Sequence, residues 1–483
     1  MILVDLLRDI HYIDYKGNLD IEIYNLQFDS RKVEKGDLFV AMRGVSVDGH
    51  SYIETAINRG AVAVVCEEYP KVLMDNVAYI KVSDSSITLA QSSSYLYGNP
   101  SSKIKLIGVT GTNGKTTIAS LLYSLFKLAG YKVGLLSTVV NYIDTKEVKA
   151  THTTPDVLQI NALLSEMVDV GCEYCFMEVS SHALDQNRVA HLEFDGGVFT
   201  NITHDHLDYH NTFSEYIKAK KKFFDFLTED SFAITNVDDK NGLLMLQNCK
   251  AKKYSYSIRS MSDYRAKIIE RHFSGMLLDI NGFEVWTSLI GDYNVSNLLS
   301  VYATAVLLGI DKDEALRYIS LLKSVSGRLD TIISPDGIMG IVDYAHTPDA
   351  LKNVLKNIVG LKKPSQSVIT VVGAGGDRDK SKRPKMASVA AEYSDRLILT
   401  SDNPRSEDPL RIIEDMKEGL SNDDLSKTIA IADRKEAIRT SAMFAKAGDI
   451  ILIAGKGHET YQDVKGVKSH FDDKEIISEI FNN

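Results

Sequence analysis

The run 104-IKLIGVTGTNGKTTIASLLYSLF-126 constrains this chain more than any other feature. A β-forming stretch, 104–109, leads into a glycine-rich loop. From Lys115 the apolar residues Ile118, Leu121, Leu122, Leu125 and Phe126 recur at helical spacing, and Gly130 is placed to end the helix. Short β-rich runs alternate with helical patterns over most of the remaining length, which predicts α/β architecture with mainly parallel sheets. At 483 residues the chain exceeds what one core serves, so two or three domains are expected. The polar segments 98-GNPSSK-103 and 334-SPDG-337 mark the breaks, giving units at 1–99, 100–330 and 331–483.

The loop itself reads as phosphate chemistry. Gly111 and Gly114 let backbone N–H groups turn inward around an anion, the helix N-terminus adds its positive dipole end, and Lys115 supplies a full charge. Thr116 is positioned to offer its hydroxyl to Mg²⁺. A full GxxxxGK[ST] pattern would need glycine where Val109 stands, yet strand, loop, helix and Thr116 together predict a nucleoside triphosphate site over Thr110, Gly111, Thr112, Asn113, Gly114, Lys115, Thr116 and Thr117.

Charge and apolar runs narrow the class. A net charge of -10 argues against a general nucleic-acid or membrane-surface binder. The start MILVDLLRDI lacks the basic opening of a signal peptide, and no apolar stretch approaches the roughly 20 residues that span a bilayer. A cytoplasmic protein is expected. Cys172 and Cys175 form a CxxC with no second pair, and Cys175 lies inside 175-CFMEV-179, so a buried, inert strand cysteine is the preferred reading.

Two further clusters sit where metal ligands belong. The strand 175-CFMEVSSH-182 ends at Glu178, Ser180, Ser181 and His182, beside the loop. The segment 201-NITHDHLDYH-210 invites zinc, but HxH alone is weak, and phosphate chemistry asks for a hard, oxygen-loving ion, so at most one of these histidines need be a ligand. In the helix 214–227, Tyr216, Phe223, Phe224 and Leu227 form one apolar face, with Lys218, Lys221 and Lys222 opposite. Lys220 falls in the middle of the apolar face. Either it snorkels past its neighbours, which spacing alone favours, or burial leaves a neutral amine able to react with carbon dioxide and form an anionic oxygen ligand.

Three strands of the last third run into polar loops: 368-VITVVGAGGDRDKSKRP-384, 396-RLILTSDNPRSEDP-409 and 450-IILIAGKGHETYQ-462. GAGG is not a full dinucleotide fingerprint. Arg378, Arg405, Asp402, Glu459 and flexible glycines instead suit a small zwitterion bound at strand carboxyl ends.

Taken in order, DSR at 29–31, GDLFVAMRG and DGH, TGTNGKTT, HTTPD, MEVSSHAL, DHLDYH, AK at 219–220, GDYNVSN, SGRLD, DYAHTPDAL, GGDRDKSKRP, DNPRSEDP and AGKGHE resemble the Mur ligases of bacterial cell-wall synthesis over nearly the whole chain. The resemblance implies an N-terminal UDP-binding domain, a central ATPase domain and a Rossmann-like C-terminal domain that brings an amino acid. It implies use of ATP and Mg²⁺ to activate a carboxylate of UDP-N-acetylmuramoyl-dipeptide as an acyl phosphate, which an amine then attacks. By the same resemblance Ser30, Val45, Ser46 and Val47 meet the uridine nucleotide. His152, Thr153, Thr154, Ser180, Gln186 and Arg188 hold the dipeptide, and Asn294, Arg328 and Asp343 surround ATP. Thr116, Glu178, His206 and a carbamylated Lys220 (N6-carboxylysine) match metal positions, with Lys115, Lys220, Glu178 and His206 central to catalysis.

DNPR implies meso-diaminopimelate as the amino acid, held by Arg378, Asp402, Asn403, Pro404, Arg405, Gly455 and Glu459. Diaminopimelate is lysine with one extra carboxylate, which a guanidinium can clasp through two hydrogen bonds. A lysine-adding ligase is the alternative. Folylpolyglutamate synthetase shares the loop but not DSR…DGH or DNPR, and a nucleotide-binding scaffold that makes no bond leaves Lys220 and the three C-terminal loops unexplained. Small-molecule substrates, no nucleic acid or membrane partner, and a monomer are expected.

Overall fold

Among the described residues, strand pairing gives three sheets and a separate two-stranded hairpin. The computed structural model describes residues 1–44, 47–325 and 327–482, with the Asp208 side chain outside the description. Val45 and Ser46, named above for the nucleotide site, therefore lie outside the described residues. The first sheet runs Asp14–Lys16, Ala78–Lys81, Ala63–Cys66, Leu38–Val40, Leu26–Gln27, parallel except at the first edge.

The second sheet has eleven strands. Lys105–Thr110 lies between Tyr174–Glu178 and Gly196–Phe199, parallel to both, with Leu106 opposite Cys175 and Val109 opposite Val198. Parallel pairing extends to Val133–Leu136 on one side and through Phe232–Asn236 and Lys252–Ser257 to Tyr264–His272 on the other, and antiparallel strands finish both edges. Helices cover both faces, so the central strands are buried on both sides and read as continuous apolar runs. On one face Leu121, Leu122 and Leu125 of the helix Lys115–Leu128 share a core with Leu298, Val301 and Tyr302 of Asp292–Leu307. On the other, Tyr216, Phe223 and Phe224 of Phe213–Asp225 are buried. That helix sits close because the central strand carries Gly108, where a Cβ would meet Phe223 Cζ at 2.4 Å. Its face is thereby pressed toward the loop that ends the strand.

The third sheet runs Asp330–Ile333, Met339–Asp343, Ile450–Ala454, Val368–Ala374, Arg396–Ser401, Thr428–Ala430, all parallel except the first. The segment 334–337, expected to separate units, is instead the turn of the hairpin joining its first two strands. Gly337 has φ +84, and the residues that permit a linker also make a tight turn. All four cysteines are buried and free, with Cys175 inside its strand as expected. Among the described residues no helix is long and apolar enough to cross a membrane.

Candidate active site

Three neighbouring strands of the central sheet end together, and each delivers one part of a site. Lys105–Thr110 opens into the phosphate loop, Tyr174–Glu178 ends on Glu178, and Gly196–Phe199 leads into 200–206. The phosphate loop is braced from the last of these. Thr200 Oγ1 donates to the Asn113 carbonyl (2.6 Å), Asn113 N–H donates to Asn201 Oδ1 (3.0 Å), and Thr112 N–H donates to the Asn201 carbonyl (2.8 Å). Gly111 (φ +153) and Gly114 (φ +90) leave no room for side chains: a Cβ would lie 1.8 Å from Thr200 Oγ1 and 2.6 Å from Asn297 Oδ1. Gly114 caps the helix, Thr116 and Thr117 are buried in its first turn, and Thr110 ends the strand. Lys115 Nζ donates to the carbonyls of Gly111 and Thr112, both at 2.9 Å. Burial lowers its pKa, opposed by Glu178 and Asp205.

Lys220 does not snorkel. It is 1% exposed, and its Nζ donates to the Gly111 carbonyl at 2.8 Å. Burial, with repulsion from Lys115, holds its pKa well below that of an ordinary lysine, Asp205 opposing. A buried amine biased toward its neutral form is the form that reacts with carbon dioxide. Periodicity reports only which face a residue occupies, and the strand end beneath that face is a tertiary matter. Lys221, assigned to the solvated face, is partly buried and pairs with Asp225 at 2.5 Å.

Glu178 is 1% exposed and accepts from Thr138 N–H (2.8 Å) and Thr138 Oγ1 (3.0 Å). Burial pushes the His206 imidazole down to about 3, against the pull of Asp205, so the ring is neutral and able to ligate. His206 adopts φ +54 and lies edge-on to His182, with ring centroids 4.9 Å apart. His204 faces Asp379 instead (3.6 Å) and is half-exposed. Among the described residues no three His, Cys, Asp or Glu side chains form a ready cage for a metal. A buried carboxylate, a hydroxyl and one neutral imidazole nevertheless suit Mg²⁺, which keeps several waters and takes phosphate oxygens as ligands.

The dipeptide candidates form a connected group. Thr154 Oγ1 donates to the Glu178 carbonyl (2.8 Å) and accepts from Ser180 N–H (3.0 Å), while the Thr153 hydroxyl lies 3.1 Å from that of Thr138. Arg188 reaches the Thr154 carbonyl (2.9 Å) and clasps Gln186 Oε1 through Nε and Nη2. Gln186 is in turn bonded to Tyr209 (3.0 Å). His152 is exposed beside Thr151. Ser30 is buried in a short turn of the first sheet's unit, and Val47 is exposed. Among the described residues no hydrogen bond links Ser30 or Val47 to the Thr154 group.

The third sheet approaches from the other side. Arg328 Nη2 reaches Thr116 Oγ1 (3.4 Å), and its guanidinium stacks on Tyr344 at 4.7 Å. Asp343 accepts from Leu329 and Ala345 N–H (both 2.8 Å), and burial raises its pKa against Arg328. Asn294 accepts from Asn297 Nδ2 (3.0 Å), which places it beside Gly114 through Asn297.

Asn403 Nδ2 donates to Glu459 Oε2 (2.7 Å), and the fully buried Lys456 donates to both Asn403 Oδ1 (3.1 Å) and Glu459 (3.3 Å). A Cβ on Gly455 would meet Asp402 Oδ2 at 2.6 Å, and one on Gly376 would meet the Pro404 carbonyl at 1.9 Å, so both glycines permit loop-to-loop contact. Arg405 sits at φ +51 with Nη1 on the Gly376 carbonyl (2.6 Å). Arg378 is exposed, its side chain near that of Arg405 across Gly375. Lys382, four residues beyond Arg378, is half-buried and forms an ion pair with the buried Asp205, next to His206. Burial opposes ionisation of Asp205, but the charge and hydrogen bond of Lys382 outweigh it and hold the carboxyl low.

Sequence reasoning missed Thr138, Thr200, Asn201, Asn297, Lys456 and the Lys382–Asp205 pair. Asn297, Lys456, Lys382 and Asp205 lie inside motifs already singled out, and Thr200 and Asn201 stand at a strand's carboxyl end, the position that should have drawn notice.

Residues 22–95 match the Mur ligase family catalytic domain, 109–305 the Mur ligase middle domain and 327–457 the Mur ligase glutamate ligase domain. The chain is 57% identical to the UDP-N-acetylmuramoyl-L-alanyl-D-glutamate--2,6-diaminopimelate ligase of Bacteroides fragilis, covering 100% of this chain and 99% of that one. It is 56% identical to the protein of the same name from Bacteroides thetaiotaomicron, covering 100% of each. A solved structure of a ligase with that name superposes with TM-score 0.71 at 33% identity, over 100% of this chain and 99% of the other. With three matched domains in order and full-length relatives at this identity, the chain belongs to the Mur ligase family.

Proposed function

We propose that this protein is an ATP-dependent ligase that joins meso-diaminopimelate to the D-glutamate carboxyl of UDP-N-acetylmuramoyl-L-alanyl-D-glutamate, in the synthesis of peptidoglycan precursors. It uses ATP and Mg²⁺. The carrying observation is that the central and third sheets meet at the phosphate site, where Arg328 reaches Thr116 of the phosphate-loop helix and Lys382 pairs with Asp205 on the loop that carries His206. Relatives 54–57% identical over essentially the whole chain bear the diaminopimelate ligase name, so the lysine-adding alternative is not favoured.

The chemistry assigns each group a task. A carboxylate is a poor electrophile, and phosphorylation by ATP gives it a leaving group. The phosphate loop's N–H groups, the helix N-terminus and Lys115 hold the ATP phosphates. Thr116, Glu178, His206 and a carbamylated Lys220 are the groups that would hold Mg²⁺, which when bound would supply positive charge to the phosphates. Asn294, Arg328 and Asp343 border the nucleotide. Thr153, Thr154, Ser180, Gln186 and Arg188 position the dipeptide carboxylate, with His152 at the rim, and Ser30 with residues 45–47 takes the uridine end. Arg405 and Arg378 hold the distal carboxylate of diaminopimelate, and Glu459 with Asp402 an ammonium. The free amine attacks the acyl phosphate: the C–N bond forms, the C–O bond to phosphate breaks, and a proton leaves the nitrogen. Contact between the units excludes water from the labile acyl phosphate.

We assign 1–99 to UDP-substrate binding, 100–330 to ATP and 331–483 to the amino acid, in a cytoplasmic monomer. The test combines purified protein, ATP, Mg²⁺, the UDP-linked dipeptide and either diaminopimelate or L-lysine, with the product weighed by mass spectrometry. ADP should appear in step with the diaminopimelate tripeptide. Preferential formation of the lysine product, or ADP without any lengthened peptide, refutes the assignment.

A further inference from the structure

The amino-acid pocket rests on a group that belongs to neither of its loops. Asp402–Arg405 and Gly455–Glu459 leave the carboxyl ends of Arg396–Ser401 and Ile450–Ala454, and these strands are not neighbours: Val368–Ala374 runs between them. No ladder hydrogen bond joins Ser401 directly to Ala454. Arg434, the first residue of the helix Arg434–Phe444, spans the gap. Its Nη1 donates to the Ser401 carbonyl (3.2 Å) and its Nη2 to the Ala454 carbonyl (3.0 Å), each one residue before a pocket loop begins. Nε and Nη2 also grip the two carboxylate oxygens of Asp473 at 2.8 and 2.7 Å. Both side chains are 0% exposed.

Stability is a weak account of this arrangement. A buried ion pair is often no more stabilising than apolar side chains of the same volume, and a cation at a helix N-terminus opposes the helix dipole. What the pair provides is a rigid planar fork that holds two non-adjacent strand ends at one spacing. Across that gap the Asp402 carboxylate already abuts Gly455, where a Cβ would lie 2.6 Å away. Burial disfavours the Arg434 charge, but Asp473 first, then Asp402 and Glu459, more than compensate, so its field also reaches the pocket's acids.

We propose that Arg434, held in place by Asp473, is a positioning residue of the amino-acid pocket, setting the separation of the DNPR and GKGHE loops so that Arg405 and Glu459 meet the two ends of one zwitterion. The proposal rests on the ligase reading above. Its test is the double variant Arg434→Met/Asp473→Leu, which removes both charges and leaves no unpaired ion. Cooperative thermal unfolding should persist, with the KM for meso-diaminopimelate raised about tenfold or more and the KM for ATP changed less than about twofold. Arg434→Lys keeps the charge but lacks the fork, and should show the same split more mildly; it serves if the double variant does not fold. An unchanged diaminopimelate KM in a folded variant overturns the proposal, as does an equal loss for both substrates. A wild-type protein that does not ligate diaminopimelate refutes the ligase reading instead, so the two failures are distinct.

Discussion

Lys220 shows at the scale of one residue how an ionisable group is shaped by its surroundings. A lysine amine with 1% exposure, a carbonyl partner and a nearby cation is poorly solvated as an ion. Exposure of the protein to ¹³C-labelled carbon dioxide should therefore produce a carbamate resonance that is absent from Lys220→Arg, and Lys220→Arg should lose ligation while remaining folded. A resonance of equal intensity in both proteins would refute the modification. Arg405 is held at φ +51, a conformation that costs a non-glycine residue roughly 1–2 kcal/mol, and such strain clusters at functional positions. Arg405→Ala should lower kcat/KM for diaminopimelate by about a thousandfold or more, with ATP affinity unchanged by calorimetry. The arginine's identity is readable from DNPR; its strained backbone and its hold on Gly376 are not, because both depend on a loop from another strand.

At the scale of elements, the loop 375–382 does two things. Its first half lies against Arg405, and its far end, Lys382, pairs with Asp205 on the loop that carries His206. Lys382→Met would leave the Asp205 carboxylate buried without its partner, a change that typically costs about 3–5 kcal/mol. The expected consequence is loosened contact between the loop 375–382 and the loop that carries His206, so that acyl phosphate is hydrolysed before the amine arrives. Coupled assays should then show more than one ADP released for each tripeptide made. A ratio that stays at one would mean the pair does not hold the units together during turnover. Both loops were singled out in the sequence, but nothing in either pattern indicates that they touch, since their residues are separated by 177 positions.

At the scale of the whole molecule, acid should be the sensitive direction. A hydrogen bond from buried Arg383 brings Glu407 down to about 2, and burial brings His458 down to about 3. The unfolded chain binds a proton at each group before the folded one does, so both contributions are complete above the unfolded values and fade as pH falls. Melting temperature should drop as pH falls from about 6.5 through 3 for the histidine and from about 4.5 through 2 for the glutamate. Glu407→Gln should flatten the lower part of that decline, and an unaltered profile would show the pair to be energetically silent. By itself the sequence determined the α/β class, the phosphate loop and the identity of most candidate site groups, because periodicity, glycine placement and local motifs act over a few residues. Tertiary structure alone decided that Lys220 lies on Gly111, that 334–337 is a hairpin turn, and that Lys382 meets Asp205 and Arg434 ties Ser401 to Ala454. Each of those contacts joins segments whose proximity arises from strand order and sheet packing, which no local pattern of residues encodes.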